Sequence, residues 1–548
     1  FGPVERADVG TPAARRLRGL HNSNLLVIAT RFSIHEASAP IPMTHLDPTP
    51  FPIDHVIERG RDTDPALVLR GGTLNYADLR TRVAELASWL RSQDAEPGAR
   101  IASWGAKGEL TCLLPLAAPR AGLVHVPINP MLKRAQVAHI LADSGASLLI
   151  GTPARLATLE ADDVPSGCTV IGEGDVLDAA RSADPMPASD ADPDHIAAIL
   201  YTSGSTGKPK GVVLSHANMW LGAVSVAHYL GLKSDDVTLA VLPLAFDYGQ
   251  NQLFSTWYAG GCVAPLDYLM PRDVTKAVAK HRATTLAAVP PLWRQLVEAK
   301  WEEGAGDSLK RLTNSGGALT PDLIDAMRAT WPQADIYPMY GLTEAFRSTF
   351  LDPALVATHP TSMGTAVPFA EVLVVKEDGS PAATDQEGEL VHCGPFVAKG
   401  YWRDPERTAE RYKPAPAHSE YGGTAVWSGD YVKRDADGLL YFVGRRDAMI
   451  KSAGNRISPQ EVEDAALATG LVADAVCFGV PDARLGQAVH LVVRGSGEPD
   501  ALKAALKRDL PSFMQPHAIE WREALPLNPN GKIDRTALYR EVSERIAA

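Results

Sequence analysis

Short apolar runs alternate with stretches of helical periodicity from residue 74 onward, and this alternation limits the fold more than any other feature of the chain. Residues 74–92 (LNYADLRTRVAELASWLRS) have the periodicity of an amphipathic helix. Buried-strand candidates occur at residues 101–105, 124–129, 147–150, 196–201, 237–242 and 284–289. Because strands that alternate with helices build α/β domains, we predict a large α/β domain with more than one subdomain.

The residues after the run LLYFVG differ in character from the part before them. Charged turn residues lead to a helix start, since Ser458 suits the N-cap, Pro459 the first position and Glu461 the first turn. The strand candidates AVCFGV and AVHLVV and the helix candidate ALKAALKRDL follow. We therefore predict a large domain over residues 43–446 and a small mobile α+β lid domain over residues 447–548.

Two segments are interpreted as lying outside these domains or between their elements. Residues 1–42 begin without an initiator Met and show no sustained periodicity, so we interpret them as a leader or extension of unknown role. Residues 176–194 (VLDAARSADPMPASDADPD) are predicted to form an exposed connector.

The composition excludes several classes of function. The 548 residues carry a formal net charge of −12, and their basic residues are spread thinly along the sequence. Binding to nucleic acids or anionic membranes needs clustered Lys and Arg, so the sequence gives no electrostatic reason to expect it. No apolar run approaches the roughly 20 residues of a membrane span. The five cysteines lie far apart without a CxxC pair, and we interpret them as reduced thiols of a cytoplasmic protein.

The segment YTSGSTGKPKGV at residues 201–212 is the most informative stretch, and it directly follows a strand candidate. Small and hydroxylated residues at the end of a strand can surround phosphate oxygens with backbone N–H groups and hydroxyls, while Lys208 and Lys210 supply positive charge. The segment does not match the GxxxxGK[ST] pattern of a Walker A loop. An ordinary surface turn is the alternative interpretation.

Further motifs follow in a fixed order: YGLTE at 340–344, SGD at 428–430, GRRD at 444–447, GNR at 454–456 and PNGK at 529–532. With TSGSTGKPKG at residues 202–211, these motifs make the chain resemble the adenylate-forming superfamily of acyl-CoA synthetases, peptide-synthetase adenylation domains and luciferases. The resemblance extends from about residue 54 to about residue 537, and it implies that the large domain is an adenylating domain.

The resemblance implies ATP as a substrate and Mg²⁺ as a cofactor. In the family pattern Tyr340 stacks on adenine, Asp430 accepts the ribose hydroxyls and Glu344 holds Mg²⁺. A buried aromatic, a turn residue and a helix cap are the structural alternatives for these three residues. The implied nucleotide-binding residues are Thr202, Ser203, Gly204, Ser205, Thr206, Gly207, Lys208, Tyr340, Gly341, Asp430, Arg445 and Arg456.

The resemblance also implies a catalytic set and a moving domain. Lys532, with Thr343 and Glu344, is expected to act in the first half-reaction, because a mobile ammonium stabilises the charge that gathers when a carboxylate attacks the α-phosphorus. Asp447 matches the family's hinge, although a capping turn residue is the alternative. Rotation there would replace Lys532 by a thiol channel that contains Lys451, Ala453 and Gly454.

The identity of the acid is predicted less directly. The implied pocket residues are Phe246, Asp247, Tyr248, Asn251, Ser315, Gly316, Gly317 and Arg347. In amino-acid adenylation domains an Asp at the position of Asp247 pairs with the substrate ammonium, and a buried carboxylate needs such a partner. Arg347 would either neutralise Asp247 internally or bind a second carboxylate or polar tail. We favour an amino acid or small polar acid, with an unsubstituted fatty or aryl acid as the alternative.

The acceptor is expected to be a phosphopantetheine thiol. The variant LPLAFDYGQNQL is similar to that of acyl-CoA ligases associated with exosortase systems, and the chain ends soon after Lys532. We therefore expect a separate acceptor, either CoA or a free-standing carrier protein. A non-catalytic nucleotide-binding homologue and a luciferase-type oxygenase are the rival functions.

Overall fold

The computed structural model describes residues 46–93, 95–202, 209–445, 448, 450–452, 455–482, 485–510, 512 and 514–547, with the backbone alone at residues 451, 455, 456, 486 and 547. Residues 50–548 form one compact unit, to which the following description applies. The predicted lid boundary at residues 446 and 447 lies outside the described residues.

The strands are β1 Pro65–Leu69, β2 Gly72–Asn75, β3 Arg100–Trp104, β4 Val124–Pro127, β5 Ala146–Gly151, β6 Thr169–Gly172, β7 Ile196–Thr202, β8 Lys210–Ser215, β9 Val237–Ala240, β10 Cys262–Pro265, β11 Thr285–Ala288, β12 Arg311–Asn314, β13 Asp335–Tyr340, β14 Thr349–Phe350, β15 Ser362–Ala366, β16 Glu371–Val375, β17 Gly388–Cys393, β18 Tyr412–Pro414, β19 Thr424–Arg434, β20 Leu440–Arg445, β21 Ile450–Ser452, β22 Asn455–Ile457, β23 Asp474–Asp482, β24 Gly486–Arg494 and β25 Ala518–Trp521.

The helices are α1 Tyr76–Arg91, α2 Glu109–Arg120, α3 Arg134–Ser144, α4 Pro153–Leu156, α5 Glu173–Ala180, α6 His216–Tyr229, α7 Asp247–Tyr258, α8 Pro271–His281, α9 Pro290–Glu298, α10 Pro321–Thr330, α11 Pro405–Arg411, α12 Pro459–Leu467, α13 Pro499–Asp509 and α14 Arg535–Ala547. Short 3₁₀ helices lie at Ile53–Arg59, Ala161–Asp163, Thr343–Ala345 and Pro353–Leu355.

The first sheet has the strand order β6-β5-β3-β4-β7-β8. Its first five strands are parallel, as expected from the βα alternation, and β8 pairs antiparallel with β7. Thr202 at the end of β7 lies opposite Lys210 at the start of β8. The predicted phosphate segment therefore connects two paired strands, and its residues 203–208 lie outside the described ones.

The second sheet has the order β16-β17-β19-β20-β15-β14-β13-β12-β11-β9-β10-β1-β2, with β18 beside β19. The strands from β13 to β1 are parallel neighbours, whereas those from β13 to β16 pair antiparallel. The sheet thus joins a parallel α/β half to an antiparallel half that the βα alternation does not predict.

Helices α6 and α7 pack against each other and connect the two sheets, since α6 contacts β8 and α7 contacts β9 and β10. Nearly every residue of both helices is buried, as expected for helices with neighbours on all sides. Ser215 begins α6 as its N-cap and accepts a hydrogen bond from the backbone N–H of Asn218.

A third sheet, with the order β22-β21-β24-β23 and with β25 beside β24, forms the small α+β part. Helices α12 and α13 cover it, and their buried Val462, Leu502 and Leu506 join Val489 and Leu491 of β24 in one core cluster. Ser458 caps α12 by accepting from the N–H of Glu461, so the predicted helix start is confirmed.

The predicted fold class is confirmed, and all the strand candidates fall on strands of the sheets. The connector prediction is wrong in its first part, because residues 173–180 form α5, in which Val176 and Ala180 are buried. The five cysteines are free thiols. Within the described part of the chain, no helix is both long enough and apolar enough to cross a membrane.

Candidate active site

A buried carboxylate stands at the start of α7. Phe246 has an extended backbone and precedes the helix, so Asp247 and Tyr248 form its first turn, and all three side chains are buried. Gly249 permits this geometry, since a Cβ there would lie 1.8 Å from the carbonyl oxygen of Pro243. The tight return of the chain onto the helix thus holds Asp247 inside the protein.

The opposite wall follows β12 and consists of the predicted Ser-Gly-Gly turn. Asn314 donates from its side-chain amide to the carbonyl of Gly317 at 2.8 Å, which closes the turn. Gly316 has φ +82°, and a Cβ there would lie 2.2 Å from Cε of Lys532. The side chain of Lys532 therefore passes the Ser-Gly-Gly turn at Gly316, where the turn has no side chain to block it.

Lys532 is presented by a tight turn of the small domain. Leu527 and Ile533 pair antiparallel on either side of it. Asn528 donates its N–H to the carbonyl of Lys532 at 2.7 Å, and its side-chain oxygen accepts from the N–H of Lys532 at 3.1 Å. Gly531 has φ +77°, which explains the Asn-Gly sequence of the turn.

Asn129, after β4, binds this turn from the large α/β part. Its side-chain Nδ2 donates to Oδ1 of Asn530 at 2.8 Å and to the carbonyl of Pro529 at 3.2 Å. Its Oδ1 accepts from the N–H of Met131 at 2.9 Å, which orients the amide. These contacts hold the small domain in an orientation in which Lys532 reaches the pocket.

Phe346 has an unusual backbone conformation between two site residues. Its φ of 56° and ψ of −66° lie in a region that costs a non-glycine residue about 1–3 kcal/mol. Its buried ring lies against Gly222 of α6, where a Cβ would lie 2.1 Å from Cε1 of the ring. Packing of the ring therefore stabilises the turn that carries Glu344 and Arg347.

Arg347 is buried in the predicted acyl pocket, with 1% of its surface exposed. The guanidinium lies 4.8 Å from the ring centroid of Tyr248, and its Nη1 donates to Oγ of Ser315 at 3.4 Å. None of the ion pairs among the described residues joins Arg347 to Asp247 or to any other carboxylate. Direct internal neutralisation of Asp247 by Arg347 is therefore not what the geometry shows.

Asp247 accepts a hydrogen bond from the hydroxyl of Thr343 at 3.1 Å. Burial raises the pKa of Asp247, although the charges of Arg347 and Lys532 oppose the shift. Burial lowers the pKa of Lys532, with Asp247 opposing the shift and Arg347 adding to it. One anion and two cations thus share the pocket and influence one another.

Tyr340 and Asp430 meet at the other side of the candidate site. The Tyr340 hydroxyl donates to Oδ2 of Asp430, and Nε of Arg445 lies 3.3 Å from Oδ1. Burial and the neighbouring Asp430 raise the pKa of Tyr340, so the phenol stays a donor. A carboxylate held in place in this way is a suitable acceptor for the two hydroxyls of a ribose.

Glu344 lies beside Lys210 and Tyr401. Its Oε1 accepts from Nζ of Lys210 at 3.0 Å and from the Tyr401 hydroxyl at 2.6 Å. Burial raises the pKa of Glu344, but Lys210 and Tyr401 outweigh burial, so the pKa lies below its ordinary value. An ionised carboxylate is a ligand that suits Mg²⁺, so these residues fit the cation expected from the sequence.

The structure brings Asp247, Thr343, Arg347 and Lys532 together around one pocket. Lys451 and Arg456 lie opposite each other on β21 and β22, where the backbone alone is described. The predicted residues outside the described ones are Ser203, Gly204, Ser205, Thr206, Gly207, Lys208, Asp447, Ala453 and Gly454.

Sequence reasoning missed Asn129, Tyr401, Phe346 and Gly222. Asn129 carried a signal, because a polar residue after a parallel strand lies at the edge where such sheets bind ligands. Tyr401 and Gly222 carried none, since their partners are distant in the chain.

Family models match both parts of the chain: AMP-binding enzyme over residues 54–402 and AMP-binding enzyme C-terminal domain over residues 461–532. The chain is 34% identical over 486 residues to a feruloyl-CoA synthase from Amycolatopsis sp, covering 87% of this chain and 96% of the relative. It is 31% identical over 496 residues to the L-proline–[L-prolyl-carrier protein] ligase of Pseudomonas fluorescens, again covering 87% and 96%.

Solved structures agree with this assignment. ATP-bound MatB from Rhodopseudomonas palustris superposes with a TM-score of 0.82 at 25% identity, covering 91% of this chain and 100% of that one. The amide bond synthetase McbA from Marinactinospora thermotolerans superposes with a TM-score of 0.79 at 26% identity, covering 89% and 98%. The chain belongs to the AMP-binding enzyme family of the adenylate-forming superfamily and is an ATP-dependent, AMP-forming acid–thiol ligase.

Proposed function

We propose that this ligase activates an amino acid or a similarly polar small acid and transfers it to a phosphopantetheine thiol. The observation that carries the proposal is Asp247, a buried carboxylate in the acyl pocket that no cation of the described residues approaches as an ion pair. A substrate ammonium would supply the missing partner.

In the first half-reaction, a carboxylate oxygen of the acid forms a bond to the α-phosphorus of ATP. The bond from that phosphorus to the bridging oxygen of pyrophosphate breaks, and pyrophosphate leaves with the electron pair. Lys532 is proposed to stabilise the negative charge that gathers between the two groups, because its ammonium reaches the pocket past Gly316. Thr343 positions Asp247 through its hydroxyl.

Glu344 would hold Mg²⁺, which when bound neutralises charge on the phosphate oxygens. Lys210 and Tyr401 keep the Glu344 carboxylate ionised and oriented. Tyr340, Asp430 and Arg445 are proposed to bind the nucleoside, and the segment at residues 202–208 the phosphates of ATP.

In the second half-reaction, the thiol sulfur forms a bond to the acyl carbon. The bond to the phosphate oxygen of AMP breaks, AMP leaves with the electron pair, and the thiol proton passes to solvent. We propose that the small domain at residues 447–548 first rotates at Asp447 to bring Lys451, Ala453 and Gly454 to the acyl-adenylate. The acceptor is CoA or a free-standing carrier protein, the two kinds of acceptor that the names of the relatives contain.

The test is ATP–pyrophosphate exchange with amino acids, their des-amino analogues, aryl acids and fatty acids. We expect amino acids to be preferred, and we expect Asp247→Ala to reverse that preference toward the des-amino analogue. Asp178→Ala, at an exposed helix residue, serves as the matched control. An unchanged acid profile in Asp247→Ala would contradict the proposal.

A second candidate is an acyl-CoA synthetase for an unsubstituted aryl or fatty acid. The similarity to a feruloyl-CoA synthase favours it, and so does the electrostatic influence of Arg347 and Lys532 on Asp247. Exchange confined to aryl or fatty acids would establish it instead.

A further inference from the structure

A narrow cavity, here called the tail cavity, lies beside Arg347 in the acyl pocket. Its lining combines polar side chains such as Tyr248, Asn251, Gln252 and Arg347 with apolar ones such as Leu230 and Met339. Among the described residues that line it, Arg347 alone carries a charge. Its free volume of about 20 Å³ is room for about one water-sized group, so it takes a short end group and not a long acyl chain.

The guanidinium in this cavity is incompletely matched. Nε of Arg347 is buried without a hydrogen-bond partner, and no carboxylate of the described residues lies within ion-pair distance. The Tyr248 ring and the Ser315 hydroxyl are its described polar neighbours. Asp247 influences the guanidinium only from beyond ion-pair distance, and a buried cation without a direct anionic partner is costly, so the site is complementary to an anion that arrives from outside.

Other polar atoms of the tail cavity are also unmatched. Oδ1 of Asn251, Oε1 of Gln252 and Oγ1 of Thr285 are buried without hydrogen-bond partners in the structure. The two amide oxygens only accept hydrogen bonds, so a carboxylate tail cannot pair with them directly, whereas a water that accompanies the tail can donate to them.

The charges of Asp247, Arg347 and Lys532 together indicate which charged groups a substrate of this pocket carries. Under the proposed function, the reacting carboxylate meets Lys532 and the ammonium meets Asp247. Arg347 then remains as a cation for a third charged group, which must be negative.

We propose that Arg347 binds a second carboxylate at the far end of the acid, so that the preferred substrate is a short α-amino dicarboxylic acid. The inference rests on the proposed function and adds the charge of the tail to it. Arg347 selects the tail through charge-assisted hydrogen bonds, while Asp247 selects the amino group, so the two preferences are separable.

The experiment compares kcat/KM for ATP–pyrophosphate exchange within matched pairs: aspartate against asparagine, glutamate against glutamine, and each diacid against its des-amino analogue. We expect the carboxylate tail to be favoured over the amide by about tenfold or more, as a charge-assisted pair at a buried site implies. In Arg347→Met this ratio is expected to approach one, whereas Arg347→Lys retains part of it. Thermal unfolding of each variant shows that it is folded, and Arg181→Met, an exposed residue, is the control.

The two arms separate the inference from the proposed function. In Asp247→Asn, loss of the preference for the amino group with retention of the tail preference supports both. Exchange with amino acids of neutral or apolar tail in preference to diacids overturns the tail inference and leaves the proposed function standing. An unchanged tail ratio in folded Arg347→Met also overturns it. If only unsubstituted acids support exchange, the proposed function fails and the inference fails with it.

Discussion

The side-chain amide of Asn129 donates to Oδ1 of Asn530 at 2.8 Å, although 401 positions separate the two residues in the chain. Asn129 follows a strand of the first sheet, and Asn530 precedes Lys532 by two residues. The contact therefore ties the lysine-bearing turn to the large α/β part in the orientation that the proposed first half-reaction needs. Asn129 is a positioning residue in this interpretation, since it acts through Lys532.

Asn129→Ala should slow adenylation without affecting thiol transfer. It removes two hydrogen bonds of roughly 0.5–1.5 kcal/mol each, so pyrophosphate exchange should fall about tenfold. Transfer from presynthesised acyl-AMP to the thiol should stay at the wild-type rate. Lys133→Ala, an exposed neighbour, is the control. Equal loss in both half-reactions would indicate a general structural role instead.

Gly316→Ala should mimic the loss of Lys532. A Cβ at residue 316 would lie 2.2 Å from Cε of Lys532, so the ammonium would be displaced from the pocket. We expect pyrophosphate exchange to fall by roughly 100-fold, as for removal of a group that stabilises transition-state charge. The same loss is expected in Lys532→Ala. Gly71→Ala is the control and should keep wild-type exchange, because a Cβ there meets nothing within 4 Å. Wild-type exchange in Gly316→Ala would contradict the conclusion that Lys532 needs the space beside Gly316.

Gly222→Ala should destabilise the protein even though alanine is the better helix former. The added Cβ would lie 2.1 Å from the Phe346 ring, and overpacking of this kind costs about 1–3 kcal/mol. Gly174→Ala is a matched control on helix α5, where nothing lies within 4 Å, and it should stabilise by up to about 1 kcal/mol. Urea unfolding measures both. Because Phe346 lies between Glu344 and Arg347, Gly222→Ala should also reduce exchange; a stable and fully active variant would contradict this packing.

Tyr401→Phe should raise the Mg²⁺ concentration that the enzyme needs for exchange. The change removes the hydroxyl that donates to Glu344 and accepts from Lys210. The Mg²⁺ concentration for half-maximal exchange should rise about three- to tenfold, the effect of one lost charge-assisted hydrogen bond. Tyr412→Phe is the matched control, because the neighbouring Tyr412 hydroxyl is buried without a hydrogen-bond partner. Parallel shifts in both variants would argue against a specific role of Tyr401.

Acidification should destabilise the protein through three buried histidines. Burial lowers the pKa of His125 and of His392 to about 3 and that of His216 to about 4, whereas the ordinary value is 6.5. Their stabilising contribution is complete above pH 6.5 and is lost as the pH falls toward the folded-state values, because the unfolded chain takes up the protons first. The free energy of unfolding should fall by about 1.4 kcal/mol per pH unit for each histidine. Unfolding in urea between pH 7 and pH 5 measures the slope, which should decrease in His392→Asn.

The parallel strands and the small α+β domain could be predicted because their signals are local. Each strand candidate is a short apolar run, and Ser458 with Pro459 marks a helix start within two residues. The antiparallel half of the second sheet was not predicted, since pairing of Ser362 with Tyr441 depends on contacts between distant segments and not on periodicity.

The candidate site also has features that could be predicted from the sequence and features that could not. Asp247, Arg347 and Lys532 could be predicted to meet because their motifs resemble those of a known superfamily, and the structure places all three around one pocket. The positive φ of Phe346 could not, because phenylalanine has no preference for that conformation and only its packing against Gly222 explains it. The absence of an ion pair between Asp247 and Arg347 could not be predicted either, because it depends on the distance between the two side chains.

The turn stabilised by Phe346 links two tasks that evolution would otherwise adjust separately. Glu344 and Arg347 stand three positions apart on it, one beside Lys210 and the other in the acyl pocket. A change in the backbone of this turn that shifted Glu344 would also shift Arg347. Homologues that diverge in the acids they accept should therefore vary at side chains on other elements, such as Asn251 on α7 and Thr285 on β11, while the turn itself is inherited unchanged.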